Sequence, residues 1–147
     1  MSQSSSSFRT IFVLGTGTMG QGIAQVAATA GMRTRLFDAE PKRLDAAFDA
    51  IAKQTARSVE KGKLVDEERS ALLGRLERVR SLEEGSEGID VVVEAVPESM
   101  DLKVELLGRV CAHAPRHAMI GSNTSSLSIT ELGARIGKRL VDQLAAR

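Results

Sequence analysis

Tryptophan and tyrosine are absent from this 147-residue chain, and phenylalanine occurs only four times. A nucleic-acid surface of basic residues interleaved with stacking aromatics is therefore excluded, and a formal net charge of +1 supplies no basic stripe in its place. Cysteine occurs once, at Cys111, so no disulfide can close within the chain, and a reduced, cytoplasmic setting is the expectation. Cys111 falls on an apolar helix face with Leu107, Val110 and Ala114, which reads as a buried structural thiol. No stretch reaches the roughly 18 apolar residues of a membrane span. The start, residues 1–8, is serine-rich and lacks both a charged leader and an apolar run, so it reads as a disordered tail and not as a signal peptide. No cluster of metal-ligating residues stands out. What is present is ordinary: 42% hydrophobic and 27% charged residues at the length of one domain, able to bury roughly 70% of its unfolded surface.

The hydrophobic pattern alternates between short apolar runs and helical periodicity. Ile11 to Leu14 is an apolar run closed by Gly15, a buried strand. Ile23, Val26, Ala27 and Ala30 then fall at i, i+3, i+4 and i+7, one face of a helix from Met19 that Gly31 ends. Arg33 to Phe37 is a second strand. Pro41 opens a long helix to about Lys61. Asp66 is positioned to cap a further helix to about Leu76. Val79 to Ser81 reads as a short edge strand, Ile89 to Val93 as a clear one, and Ala118 to Gly121 as another. Between the last two, Asp101 caps a helix reaching Ala114, and Ser128-Ile-Thr-Glu131 is a capping box opening a final helix. Strands alternating with helices predict an α/β, doubly wound, mainly parallel sheet of five or six strands with right-handed crossovers. The helical stretch between the second and third strands is an insertion in that rhythm. Residues 9–147 read as one domain.

Gly15-Thr-Gly17-Thr-Met-Gly20 fits G-x-G-x-x-G. The pattern alone is weak, but here it follows a strand, opens a helix and precedes a second strand that ends in an acid. In a dinucleotide fold Gly15 permits the tight turn, Gly17 lets the backbone approach a pyrophosphate, and Gly20 lets helix and strand pack closely. Thr18 precedes and Met19 opens the helix whose N-terminal amides face the anion. Asp38, 23 residues past Gly15, is placed to accept hydrogen bonds from the adenosine ribose and to repel a 2′-phosphate. The expected cofactor is NAD, not NADP. Arg33 and Arg35 lie on the strand and are poor phosphate clamps; Lys42 and Arg43 follow closely enough to reach the site.

Two further strand ends are unusually polar. Val91-Val-Val93 runs into Glu94-Ala-Val-Pro-Glu98, with Lys103 on the helix behind, and Ala118 to Gly121 runs into Ser122-Asn-Thr-Ser-Ser126. The chemistry of the serine run alone leaves a turn with a helix cap and a ligand site equally open.

Three blocks together, Val13 to Ala28, Glu94 to Glu98 and Ser122 to Thr130, resemble the 3-hydroxyacyl-CoA dehydrogenase family in motif and spacing, over about Arg9 to Leu140. The resemblance implies oxidation of the 3-hydroxyl of a fatty acyl-CoA by NAD. It implies Gly15, Gly17, Thr18, Met19, Gly20 and Asp38 on NAD, Glu98 and Lys103 near it, Asn123 and Ser125 near the nicotinamide and the substrate hydroxyl, and Lys61 on CoA. Glu60-Lys-Gly-Lys-Leu64 resembles members acting on 3-hydroxybutyryl-CoA or 3-hydroxyadipyl-CoA.

One departure qualifies the likeness. The family carries a base His in a His-Phe-x-Asn-Pro strand after the last helix, and a Glu that orients it. Here Lys138 to Val141 resembles the start of that strand, yet Asp142-Gln-Leu-Ala-Ala-Arg147 follows, and His113 and His117 lie before the preceding strand. The helical C-terminal domain that completes the substrate pocket is also absent, so the chain is expected to bind NAD but to be inactive alone, with Asn123 and Ser125 in supporting roles only. Completion by a separate C-terminal chain, a non-catalytic NAD-binding remnant, and a dehydrogenase of the 3-hydroxyisobutyrate type are the other readings.

Overall fold

A computed structural model describes residues 8–124 and 127–146. The predicted serine-rich tail, apart from Phe8, and Ser125 lie outside the described residues. Five parallel strands, β1 (Thr10–Leu14), β2 (Arg33–Phe37), β3 (Leu76–Arg78), β4 (Val91–Glu94) and β5 (Met119–Ser122), form one sheet in the order β3-β2-β1-β4-β5. The helices are α1 (Thr18–Thr29), α2 (Pro41–Glu60), α3 (Asp66–Gly74), α4 (Leu82–Ser86), α5 (Met100–His113) and α6 (Ile129–Ala145). The chain winds outward from β1 to β3, then returns across β1 to β4, so the winding direction reverses between β1 and β4.

The central strand shows why. All five residues of β1 are buried, and with a side-chain period of two they feed both faces. Ile11 and Val13 pack with Ala24, Ala28, Leu36, Leu44, Ile51 and Leu72 under α1, α2 and α3. Phe12 and Leu14 pack on the other side with Leu82, Val92, Leu107, Val110, Leu132 and Ile136 under α4, α5 and α6. Two cores on one sheet are the physical content of a doubly wound fold.

The structure corrects several local expectations. The third strand is Leu76–Arg78 and not 79–81, because it pairs Thr34 with Leu76 and Leu36 with Arg78 along β2; α3 accordingly stops at Gly74. Val79, past the strand, turns into the second core. Asp66 is the first helical residue and not the cap; Val65 takes that position, and the Glu68 carboxylate accepts from its amide at 3.3 Å. Ser99, and not Asp101, caps α5 by accepting from the Leu102 amide at 3.3 Å. The one-turn α4, capped by Ser81, has no counterpart in the sequence reading. The predicted entry to a further strand at Lys138 to Val141 is instead the body of α6. Leu132, Ile136 and Leu140, four residues apart, keep one face on the core, and Lys138 pairs with Asp142 at 2.6 Å along the helix.

Candidate functional site

Where β1 and β4 part, their carboxyl ends open a cleft of about 590 Å³. This is the position at which an open parallel sheet receives a ligand. Gly15, Gly17, Thr18, Met19, Asp38, Glu98 and Asn123 all line it, so seven of the residues singled out in the sequence meet in one place.

The glycine loop divides into structural and open positions. Gly15 has φ +93°, which disfavours any side chain, and a Cβ there would stand 2.6 Å from the Ala95 carbonyl oxygen. A Cβ on Gly20 would collide with the Gly15 carbonyl. Gly17 is different: its φ is −69° and an added Cβ meets nothing within 4 Å. Nothing in the fold demands glycine at that point, whereas a ligand backed closely against the loop would. Gly17 is also the N-cap of α1 and offers no side-chain acceptor, whereas α4, α5 and α6 are each capped by a serine hydroxyl. The first amides of a 12-residue helix are thus left to whatever occupies the cleft, with the positive end of its dipole behind them. These features fit a dinucleotide pyrophosphate.

Asp38 sits at the end of β2 on the cleft wall. Its Oδ2 accepts from the Thr16 amide at 3.1 Å and the Thr16 hydroxyl at 2.7 Å, and its Oδ1 accepts from the Glu40 amide at 3.0 Å. Two of the basic residues nearby are committed elsewhere. Arg33 and Arg35 both pair with Glu77, at 2.5 and 3.4 Å, and hold its carboxyl below the ordinary range. Arg43 does line the cleft, with Glu40 3.4 Å away. The anionic wall therefore outweighs the one cation beside it.

At the other end of the cleft lies a buried ionic network. Lys103 Nζ and Glu94 Oε2 are 2.6 Å apart, and both side chains are fully buried. Lys103 also meets Glu98 Oε1 at 3.2 Å and the Val96 carbonyl at 3.3 Å. Glu94 accepts from the Val96 amide at 2.8 Å and from the Ser122 hydroxyl at 2.5 Å. Thr124 donates to Glu98 at 2.8 Å, and the Asn123 amide donates to the Glu94 carbonyl at 2.8 Å. Lys103, expected near the cofactor, is buried on α5 and ties that helix to the end of β4, while Glu94, accepting from Ser122, ties β4 to β5. Glu94 and Thr16 were given no role from the sequence. An ion pair nine residues apart has no local signature, and the x of G-x-G is uninformative until its contacts are seen.

Lys61 is not brought to this cleft. It lies at the end of α2 in a separate surface hollow with Lys53, Arg57 and Lys63. His113 and His117 lie at the opposite end of the sheet. His117 Nε2 is 3.0 Å from Asp90, a residue that also accepts from the amides of Arg9 and Thr10 at the amino end of β1. His113 closes α5, its Nδ1 3.0 Å from the Arg109 carbonyl oxygen. Among the described residues no group of three or more His, Cys, Asp or Glu is arranged to hold a metal, and no helix is long and apolar enough to cross a membrane.

Sheet order, glycine loop and acid at the end of β2 define a dinucleotide-binding domain of the Rossmann type. Comparison with known proteins narrows this: residues 10–141 match the family described as 3-hydroxyacyl-CoA dehydrogenase, NAD binding domain. The chain belongs to that family, as its NAD-binding domain, which sets aside the 3-hydroxyisobutyrate type. It is 43% identical over 127 residues to a probable 3-hydroxybutyryl-CoA dehydrogenase of Bacillus subtilis, covering 84% of this chain and 43% of that protein. It is 36% identical to 3-hydroxyadipyl-CoA dehydrogenase of Escherichia coli, covering 87% of this chain and 27% of that one. The solved structure of (S)-3-hydroxybutyryl-CoA dehydrogenase from Ralstonia eutropha superposes with a TM-score of 0.83 at 33% identity, over 90% of this chain and 47% of that one. The chain thus spans less than half the length of each of these relatives.

Proposed function

We propose that this chain is the NAD-holding part of a short-chain 3-hydroxyacyl-CoA dehydrogenase, and that a second, C-terminal domain, in a separate chain or a longer product, must complete it for turnover. Asp38 receives the adenosine ribose, Gly17 and the first amides of α1 receive the pyrophosphate, and Glu98 and Asn123 border the nicotinamide end. When bound, NAD supplies the acceptor for the hydride that leaves C3 of the acyl-CoA. Ser125 and Asn123 orient the substrate hydroxyl, and Lys61 with its basic neighbours meets the CoA phosphates. The observation that carries the reading is Gly17: a glycine the fold does not require, at the mouth of an uncapped helix, facing an acid at the end of β2.

Both histidines stand at the far end of the sheet, which supports a domain that binds without providing the base. Among the described residues no strand pairs with the outer edge of β5, where Met119 and Ile120 are about half exposed. That edge is where the second domain would pack. The single half-buried cysteine is in keeping with a reducing, cytoplasmic setting.

The test is a 340 nm assay with 3-hydroxybutyryl-CoA and NAD, using the chain alone and then with the C-terminal domain of a related enzyme added. A positioned base contributes about 10²–10⁴-fold, so the chain alone is expected to be nearly silent and the mixture active. Turnover by the chain alone at about 1–10³ s⁻¹, the usual enzyme range, overturns the proposal. NADH binding without activity in either arm favours a non-catalytic NAD-binding role.

A further inference from the structure

Asp38 does not meet the cleft as a free carboxylate. Thr16, between the first two glycines, is 3% exposed. Its hydroxyl and its amide both donate to Asp38 Oδ2, at 2.7 and 3.1 Å, while Oδ1 accepts from the Glu40 amide at 3.0 Å. From the other side Gln21 Nε2 donates to the Thr16 carbonyl at 3.0 Å, so α1 itself holds Thr16 in place. An ionised carboxylate offers about four acceptor positions. Three are filled here, which leaves one on Oδ1.

We propose that Thr16 is a positioning residue for cofactor recognition: its hydroxyl locks the Asp38 carboxylate onto the glycine loop and presents a single acceptor position to the ribose. The inference rests on the assignment of Asp38 as the ribose acid. Any residue at position 16 supplies the amide, but only a serine or threonine supplies a hydroxyl at this distance. That bond is charge-assisted and, with Thr16 buried, partly shielded from water, conditions that strengthen a hydrogen bond. An aspartate held before the ligand arrives loses its side-chain freedom on folding and not on binding, so affinity is not reduced by ordering it. The same lock holds a negative charge where a 2′-phosphate would have to sit.

A double-mutant cycle tests this, with NADH and NADPH titrated calorimetrically into the wild type, Thr16→Val, Asp38→Ala and the double variant. Thr16→Val keeps the branched shape and the amide. It is expected to weaken NADH roughly tenfold, the scale of one charge-assisted hydrogen bond, to leave NADPH nearly unchanged and so to narrow the preference. Thr16→Ser should restore NADH affinity to within about twofold, since the hydroxyl returns. In the Asp38→Ala background Thr16→Val should change nothing further, because contacting residues are non-additive whereas a merely structural effect adds. If Asp38→Ala binds NADH as the wild type does, the ribose-acid assignment itself fails. If Asp38→Ala weakens binding but Thr16→Val does not, or weakens it equally in both backgrounds, the Thr16 proposal alone fails. Should Asp38→Ala bind too weakly to titrate, the serine rescue and the NADH-to-NADPH ratio decide, and an unchanged ratio overturns the proposal.

Discussion

Replacing Gly17 by valine is expected to abolish NADH binding while leaving the fold nearly untouched. On the folding side, Gly17 has φ −69° and ψ −170°, extended backbone that a β-branched residue adopts readily, and nothing lies within 4 Å of the new Cβ. Loss of a favoured N-cap residue costs about 0.5–1 kcal/mol, and the stiffer unfolded chain returns about 0.4–1 kcal/mol. The net change should stay within about 1 kcal/mol, a shift of roughly 2–4 °C in Tm at this chain length. On the binding side, the side chain occupies the space into which the pyrophosphate must come. Two amide bonds to a charged phosphate, at about 1.5–3 kcal/mol each, correspond to roughly 10²–10⁴-fold in Kd. The assay pairs a thermal melt with calorimetric titration of NADH. Gly20→Ala is the control, since its Cβ would collide with the Gly15 carbonyl and overpacking of this kind costs about 1–3 kcal/mol or more. Gly20→Ala should therefore melt several degrees lower, in line with that cost. Wild-type NADH affinity in Gly17→Val, or unfolding to match Gly20→Ala, would refute the argument that ligand and not fold requires Gly17.

Three further outcomes follow. Lys103→Met leaves the fully buried Glu94 carboxylate without its counter-charge and should cost about 3–5 kcal/mol in a denaturant melt, with Glu94→Gln added to it recovering part of the loss; a loss under about 1 kcal/mol contradicts the pairing. Asp90 is held below its ordinary value of 3.8 by the Arg9 amide first, then the Thr10 amide and His117. A depressed carboxyl contributes stability that is full above its unfolded pKa and lost as pH falls through the folded one, so Asp90→Asn should flatten the stability profile below about pH 4 and leave it parallel to wild type above about pH 6. Burial pushes the Cys111 thiol above its ordinary 9.0; in the folded chain it should react with an aromatic disulfide reagent at pH 8 at least about tenfold more slowly than in the unfolded chain, and equal rates would mean the thiol is open.

The legible parts of the sequence were those with a strong local cause. Arg33–Phe37 was read to the residue, and the glycine loop, the start of α2 at Pro41 and Asp38 at a strand end all lie where chain chemistry placed them. Where two local causes competed, the sequence could not choose between them. Ser99 and Asp101 are both cap formers two residues apart, and the helix begins at the earlier one. The three-residue β3 is fixed by its partner β2, a long-range cause with no local trace. At Lys138 to Val141 the family resemblance suggested a strand, but the apolar spacing of Leu132, Ile136 and Leu140 carries the helix through. The site was legible as a list of cleft-lining residues and not as a set of contacts. The Thr16–Asp38 lock exists only once the ends of β1 and β2 lie side by side, and the Lys103–Glu94 pair only once α5 folds back on the end of β4.

The most direct test of the central claim is a calorimetric titration of the wild-type chain with NADH and with NADPH under identical salt. One NADH per chain is expected, with NADPH at least about tenfold weaker, because the Asp38 carboxylate exchanges a ribose hydrogen bond for repulsion of a 2′-phosphate. Equal affinities for the two, or no binding of NADH, would contradict the account.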